Sequence, residues 1–565
     1  MPNPTWAKRA QQKRDALKEL IPNEWRIPMV TSHGEWPSIG DLVRAALTPE
    51  ELEMTEVAPL SLLANVHAQV WAAEDVVRAF CHRAAVAHQF TNCLSEIMFN
   101  EAIASARSQD QHYKHYGTLC GPLHGLPMSF MDRYRVAGYE TSAGFVAWLG
   151  VKETPQTEAL IVRHMRRLGA IPFCKTNCPQ SMLIAATDNN ITGPTLNPFR
   201  RALSAGGAAG GEGVLQAVRG SPVGWVTEIA GSSRIPATFN KLFALRICHG
   251  RLSNAGIAST SESLPEYSST PALMSWDLCV LQHVARMSVG SHFYLEDPYC
   301  IDFPWRESRW TQLHRSRPRF AIMHHDNQVY PQPPVQRALS LVKAALEAQQ
   351  YDVVTWDPPE HTTAVQTYFR LLGADGGSSL RLLLDQSGEP PVKGLQQWYQ
   401  QSDTIGQLSV EQFWSLSKER EQYRRSYCKY WQAKNAADST HAKIEGIIMP
   451  VLANAATYEH GLSYFGYSAI VNFLDFTAIS FPVTTVNESI DVWQFDRNMK
   501  CVQDAKVYAD YDPHAFQDHP VGLQVMCRRL EEETCLKLAE IVTEALQEHD
   551  FQALTNRTRS EGIAL

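Results

Sequence analysis

Residues Ser204–Phe239 read SAGGAAGGEGVLQAVRGSPVGWVTEIAGSSRIPATF, and the reading of this stretch decides the fold. Glycines crowd both ends of it, around 206–213 and at Gly231, and a short apolar run, VGWVTEI at 223–229, leads into the second group. The run reads as a buried strand, and the glycine loops with Ser232 have the look of a catalytic site. Yet alanines, Ala208 and Ala209, stand in the first glycine loop where polar groups are expected.

The pattern extends outward from there. Apolar runs AIPFCK (170–175), RFAIMH (319–324), YDVVTW (351–356), EGIIMPVL (445–452) and PVGLQVMC (520–527) read as further buried strands. Helical periodicity separates them, as in TEALIVRHMRRLGA, whose glycine marks a C-terminal stop. From Ala73 to about Arg107 apolar residues recur every three or four positions, which predicts two amphipathic helices. The stretch from about 385 to 445 reads as a polar-faced helical excursion. The expectation is an α/β fold: one large mixed sheet flanked by helices on both faces, residues 61–550, preceded by a helical lead (1–60) and followed by a tail (551–565).

The chain has 565 residues, 44% hydrophobic and 19% charged, enough apolar material for a large core. Net charge is −8 with no block of Lys and Arg, which argues against a nucleic-acid partner and for a small molecule. No apolar stretch of about 18 residues predicts a membrane span, and the N-terminus lacks the apolar core of a secretory signal. Twelve scattered cysteines fit reduced thiols and a cytoplasmic location. Cys174 and Cys178 lack zinc spacing, and the pairs His112/His115 and His324/His325 have no partner ligands nearby, so neither metal nor cofactor is expected.

The segments KTNCPQSMLIAATDNN from Lys175, FTNCLSEIMFNEA (90–102), GPLHGLPMSFMD (121–132), YFGYSAIVNFLDFTAISFPVT (464–484) and DHPVGLQVMCRRLEEE (518–533) carry a resemblance. Together with the stretch at 204–239, they are similar in order and character to the amidase-signature family, in the style of its fungal acetamidase-like and fatty-acid-amide-hydrolase-like members. The resemblance implies amide or ester hydrolysis by a Ser/cis-Ser/Lys relay, in which a neutral buried lysine deprotonates a bridging serine and that serine deprotonates the nucleophile. Backbone N–H groups of the glycine turn hold the developing oxyanion.

Carried over position by position, the nucleophile of the family's T-D-I-G-G-S-I-R element falls on Ser232 in TEIAGSSR, with Ile229, Ala230 and Gly231 forming the oxyanion turn. The bridging serine of G-G-S-S-G-G-E-G falls on Ala208, 24 residues before Ser232. The lysine of G-L-P-x-S-x-K-D falls on Met131. Methionine has no basic site and alanine no hydroxyl, so this pair moves no proton from Ser232. Both replacements are apolar, which avoids leaving one buried polar partner without the other. The family's Asp is Glu228, and one of its turn glycines is Ala230.

For Ser232 two readings stay open: a turn hydroxyl that caps backbone groups, or a retained nucleophile or ligand contact. Candidate replacement bases are His124, Asp132 and Glu228, each with a structural reading beside the chemical one. Ser415 and Lys418 form an S-x-x-K within a polar helical stretch and carry no expectation of catalysis. Three functions follow: a repurposed, non-hydrolytic catalyst on a carbonyl-bearing small molecule, a non-catalytic small-molecule binding or partner protein, or a residual Ser232-dependent hydrolase or acyl transferase. The resemblance also implies a fungal specialised-metabolism setting and a homodimer.

Overall fold

The computed structural model describes residues 5–27, 38–260, 269–436, 442–493 and 498–560. Parts of the expected lead (1–4 and 28–37) and the last five residues of the expected tail lie outside them. Eleven strands form one sheet: β1 (Leu94–Ile97), β2 (Pro127–Met131), β3 (Ile171–Thr176), β4 (Gly224–Glu228), β5 (Phe243–Arg246), β6 (Thr270–Ser275), β7 (Arg319–Ile322), β8 (Val353–Thr355), β9 (Ile444–Pro450), β10 (Thr477–Thr485) and β11 (Pro520–Cys527). Their order across the sheet is β1-β3-β2-β4-β6-β5-β10-β11-β9-β7-β8.

The sheet is mixed. β2 runs parallel to β3 and β4, and β7 parallel to β8 and β9, while the remaining neighbours are antiparallel. Strand alternation explains the continuous apolar runs, because successive side chains feed cores on opposite faces. Ile448, Ile479 and Val525 join one core, whereas Ile447, Ala478 and Met526 join the other. Helices therefore cover both faces, as the sequence predicts.

Each apolar run expected to be a strand is one: β3, β4, β7, β8, β9 and β11 fall within or across those runs. The region from Ala73 to Arg107 contains the two expected helices, Ala73–Thr91 and Phe99–Tyr116, but β1 lies between them. Asn92 in the left-handed region, φ 56°, stops the first helix with its N–H on the His88 carbonyl. The helix Leu160–Arg167 is followed by Gly169 at φ +93°, where an added Cβ would lie 2.8 Å from the His124 nitrogen. The excursion is helical, comprising Ser378–Ser387, Lys393–Ile405 and Val410–Ala436. Ser415 and Lys418 lie on the last of these helices, and the final helix runs from Glu532 to Ser560.

Candidate active site

β4 lies between β2 and β6, and the chain leaves its end at Glu228 through a tight turn into the helix Arg234–Phe239. Ala230 has φ 55° and Gly231 φ 115°, so a left-handed alanine occupies the first of these positions. Gly231 is required by space as well as by conformation, since a Cβ would lie 2.7 Å from that of Ser468.

Glu228 shapes this turn. Its fully buried carboxylate accepts the Gly231 N–H at 2.6 Å, the Ser233 N–H at 2.6 Å, the Ser233 hydroxyl and the Arg234 guanidinium at 2.9 Å. Burial works against its charge, but the Arg234 cation and the Ser233 donors outweigh it and hold the carboxyl below its ordinary range. Arg234, also fully buried, donates on to the Ser468 carbonyl at 3.0 Å, to Asn472 Oδ1 at 2.8 Å and to Gln524 Oε1. Ser468 Oγ returns to the Ala230 carbonyl at 2.7 Å. Glu228 is thus a clamp on the turn.

Ser232 is 8% exposed, and its Oγ donates to the Ile229 carbonyl at 2.8 Å. Its own N–H bonds the same carbonyl at 3.1 Å, and its carbonyl accepts the Ala209 N–H at 3.1 Å. That last bond sets the first glycine loop beside the serine turn. The Gly207–Ala208 peptide is cis, and Thr187 Oγ1 donates to the Gly206 carbonyl at 2.9 Å. Gly207 and Gly211 admit no side chain, because an added Cβ would come within 2.5 Å of the backbone of Ala186 and Asn177 respectively. Among the described residues the N–H groups of Ile229 and Ala230 make none of the loop and turn backbone bonds, whereas that of Gly231 is held by Glu228.

Met131 ends β2 and is fully buried, with its sulfur 3.6 Å from Thr227 Oγ1 on β4. Parallel pairing of β2 with β4 sets Met131 at the same end of the sheet as the turn after β4, where the Ala209 N–H bond to the Ser232 carbonyl holds the loop with Ala208; the resemblance assigns Met131, Ala208 and Ser232 to the relay. The other candidate bases are engaged. Asp132 pairs with the fully buried Lys175 at 2.6 Å and accepts the Ser142 hydroxyl at 2.5 Å. Lys175 also donates to the Glu140 carbonyl and to Thr141 Oγ1, both at 2.8 Å, which commits its three donors. His124 accepts the Cys120 N–H at 3.1 Å and meets the His67 ring edge-on at 6.3 Å, and none of its partners belongs to the serine turn. Burial, then the neighbouring His67, lowers its pKa.

A cavity of about 70 Å³ opens beside the turn and is lined there by Ile229. Phe145, Trp148, Leu183, Leu371 and Leu372 make it largely apolar, while Arg133, Ser181 and Ser269 supply polar groups. Sequence reading missed these linings and Lys175: each is an ordinary residue until tertiary structure brings it to the site. Among the described residues no group of His, Cys, Asp and Glu is arranged to hold a metal ion, and no helix is long and apolar enough to cross a membrane.

Residues 75–536 match the family model described as Amidase. The chain is 32% identical to an acetamidase of Aspergillus oryzae over 97% of its own length and all of that protein. It is 30% identical to a putative amidase, kk1C, of Curvularia clavata, over 97% and 99% of the two chains. Among solved structures it is similar to fatty acid amide hydrolase, with a TM-score of 0.87 at 26% identity, covering 96% of this chain and 95% of that one.

Proposed function

Because this chain belongs to the amidase family and yet carries methionine and alanine at two of the three relay positions, we propose that it is a non-hydrolytic member. In this reading a carbonyl-bearing small molecule enters the cavity and sets its oxygen against the Ile229 and Ala230 N–H groups. The protein then promotes a step by orientation and hydrogen bonding, without an acyl-enzyme. The observation that carries the reading is the state of Ser232: its hydroxyl hydrogen is spent on the Ile229 carbonyl, while the residues that the resemblance assigns to the relay are Met131 and Ala208, neither of them a base. A nucleophilic serine needs a partner that removes its proton. Asp132 and Glu228 are tied up in ion pairs, and His124 has its partners elsewhere.

Treatment of the purified protein with a fluorophosphonate, read by intact mass against Ser232→Ala, tests this. The expected result is no adduct in either protein. A Ser232-dependent adduct would sink the reading and point to a residual hydrolase or acyl transferase. If a ligand trapped from producing cells is held stoichiometrically and returned unchanged, the cavity serves capture and not catalysis.

A further inference from the structure

Glu389 lies on the turn between the helices Ser378–Ser387 and Lys393–Ile405 and is 3% exposed. Its carboxylate gathers donors from distant parts of the chain. Oε1 accepts the Val146 N–H at 2.7 Å, and Oε2 accepts Gln180 Nε2 at 2.8 Å and Asn190 Nδ2 at 3.1 Å. Gln180 answers with its own Oε1, which accepts the Val392 N–H at 2.9 Å. The Ser387 hydroxyl adds a local bond to Oε1 at 3.1 Å, and among the described residues no charged side chain pairs with Glu389, so neutral donors hold the carboxylate.

Two of these anchors are the roots of the cavity walls. Val146 sits between Phe145 and Trp148, both of which line the cavity. Gln180 immediately precedes the lining residues Ser181 and Met182, held at φ 83° and 62°, conformations that side chains of this kind adopt only under constraint. Leu371 and Leu372, at the end of the helix Thr362–Leu372 that leads into the same helical excursion, form a third wall. We propose that Glu389 is a positioning residue that sets the width of the cavity by tying the excursion to both other walls. It acts through Val146 and Gln180 and touches no ligand.

A carboxylate suits this role because it offers acceptors on both oxygens. A glutamine of the same shape turns an NH₂ toward donors and satisfies only part of the set. The proposal rests on the reading above only in taking the cavity as the ligand site.

Hydrogen exchange read by mass spectrometry tests it on the full chain, comparing wild type, E389Q, E389A and the remote core variant L346A. Segments 143–149 and 180–184 should exchange at least ~10-fold faster in E389A through local opening, with E389Q between E389A and wild type. L346A should lower Tm and leave both segments at the wild-type rate. Wild-type exchange in both segments of the Glu389 variants, or acceleration confined to 387–392, overturns the proposal. E389Q keeps the test open should E389A fail to fold. Calorimetry with decanamide adds a second reading: E389A should bind it several-fold more weakly than wild type. Should wild type bind no decanamide, the ligand-site reading fails, and the exchange rates still decide the role of Glu389.

Discussion

Thr227 on β4 donates its hydroxyl hydrogen to the sulfur of Met131 on β2, 3.6 Å away, and in the same spot receives Arg133 Nη1 at 3.1 Å. A thioether is a weak acceptor and no base, so on the proposed reading no proton relay starts at Met131. A lysine restored there would stand in a buried site beside the Arg133 guanidinium, and both burial and the like charge favour its neutral, basic form.

Met131→Lys combined with Ala208→Ser should therefore create amide hydrolysis, measured as ammonia released from acetamide or from longer primary amides. General-base assistance is worth about 10² to 10⁴, so a gain of at least ~100-fold over wild type is expected. Each single variant should stay near wild type, because a proton relay works only when complete. A folded double variant that hydrolyses no amide would show that the oxyanion turn no longer fits a tetrahedral centre.

The ion pair of Glu228 with Arg234 is fully buried on both sides. Glu228→Ala strands a charged guanidinium and frees the Gly231 and Ser233 N–H groups, which costs about 3–5 kcal/mol for a broken buried pair. Urea unfolding should show a correspondingly lower midpoint. A loss below ~1 kcal/mol, the size of an exposed pair, would contradict the clamp.

Ala230 at φ 55° carries strain that glycine would relieve. Left-handed backbone costs a non-glycine residue about 1–2 kcal/mol, and the greater freedom of unfolded glycine takes back about 0.5–1. Ala230→Gly should thus raise stability by up to about 1.5 kcal/mol, read as a shift of the urea midpoint at unchanged slope.

Much of this fold is legible along the chain. β3, β9 and β11 are apolar runs bounded by turn residues, and burial on both faces makes them stand out. β1 is not legible in the same way, because four residues between two amphipathic helices are too few for a period to register. At the candidate site, motif and spacing single out Met131, Ala208 and Ser232. Glu389, Lys175 and the lining leucines are not, since a glutamate in a polar helical stretch gives no sign of donors that lie roughly two hundred residues away. His124 misleads for a related reason: its motif places it near β2 in sequence, while its ring faces His67.

Burial pushes the imidazoles of His88, His361 and His519 from the ordinary 6.5 down to about 4. Between those values the unfolded chain binds protons that the folded one excludes, so stability is present above pH 6.5 and is lost as pH falls toward 4. His361 is the sharpest case, because both ring nitrogens are buried without a partner among the described residues while the ring stacks on Tyr427 at 6.1 Å. His361→Phe keeps a flat ring and removes the titration and the unpaired polar atoms. It should raise the urea midpoint modestly at pH 7.5, by the equivalent of about 1 kcal/mol for the relieved polar group. At pH 5 the gain should be clearly larger, because only the wild type then loses stability to protonation of an unfolded imidazole at position 361. An equal gain at both pH values would mean that His361 does not resist protonation in the folded chain.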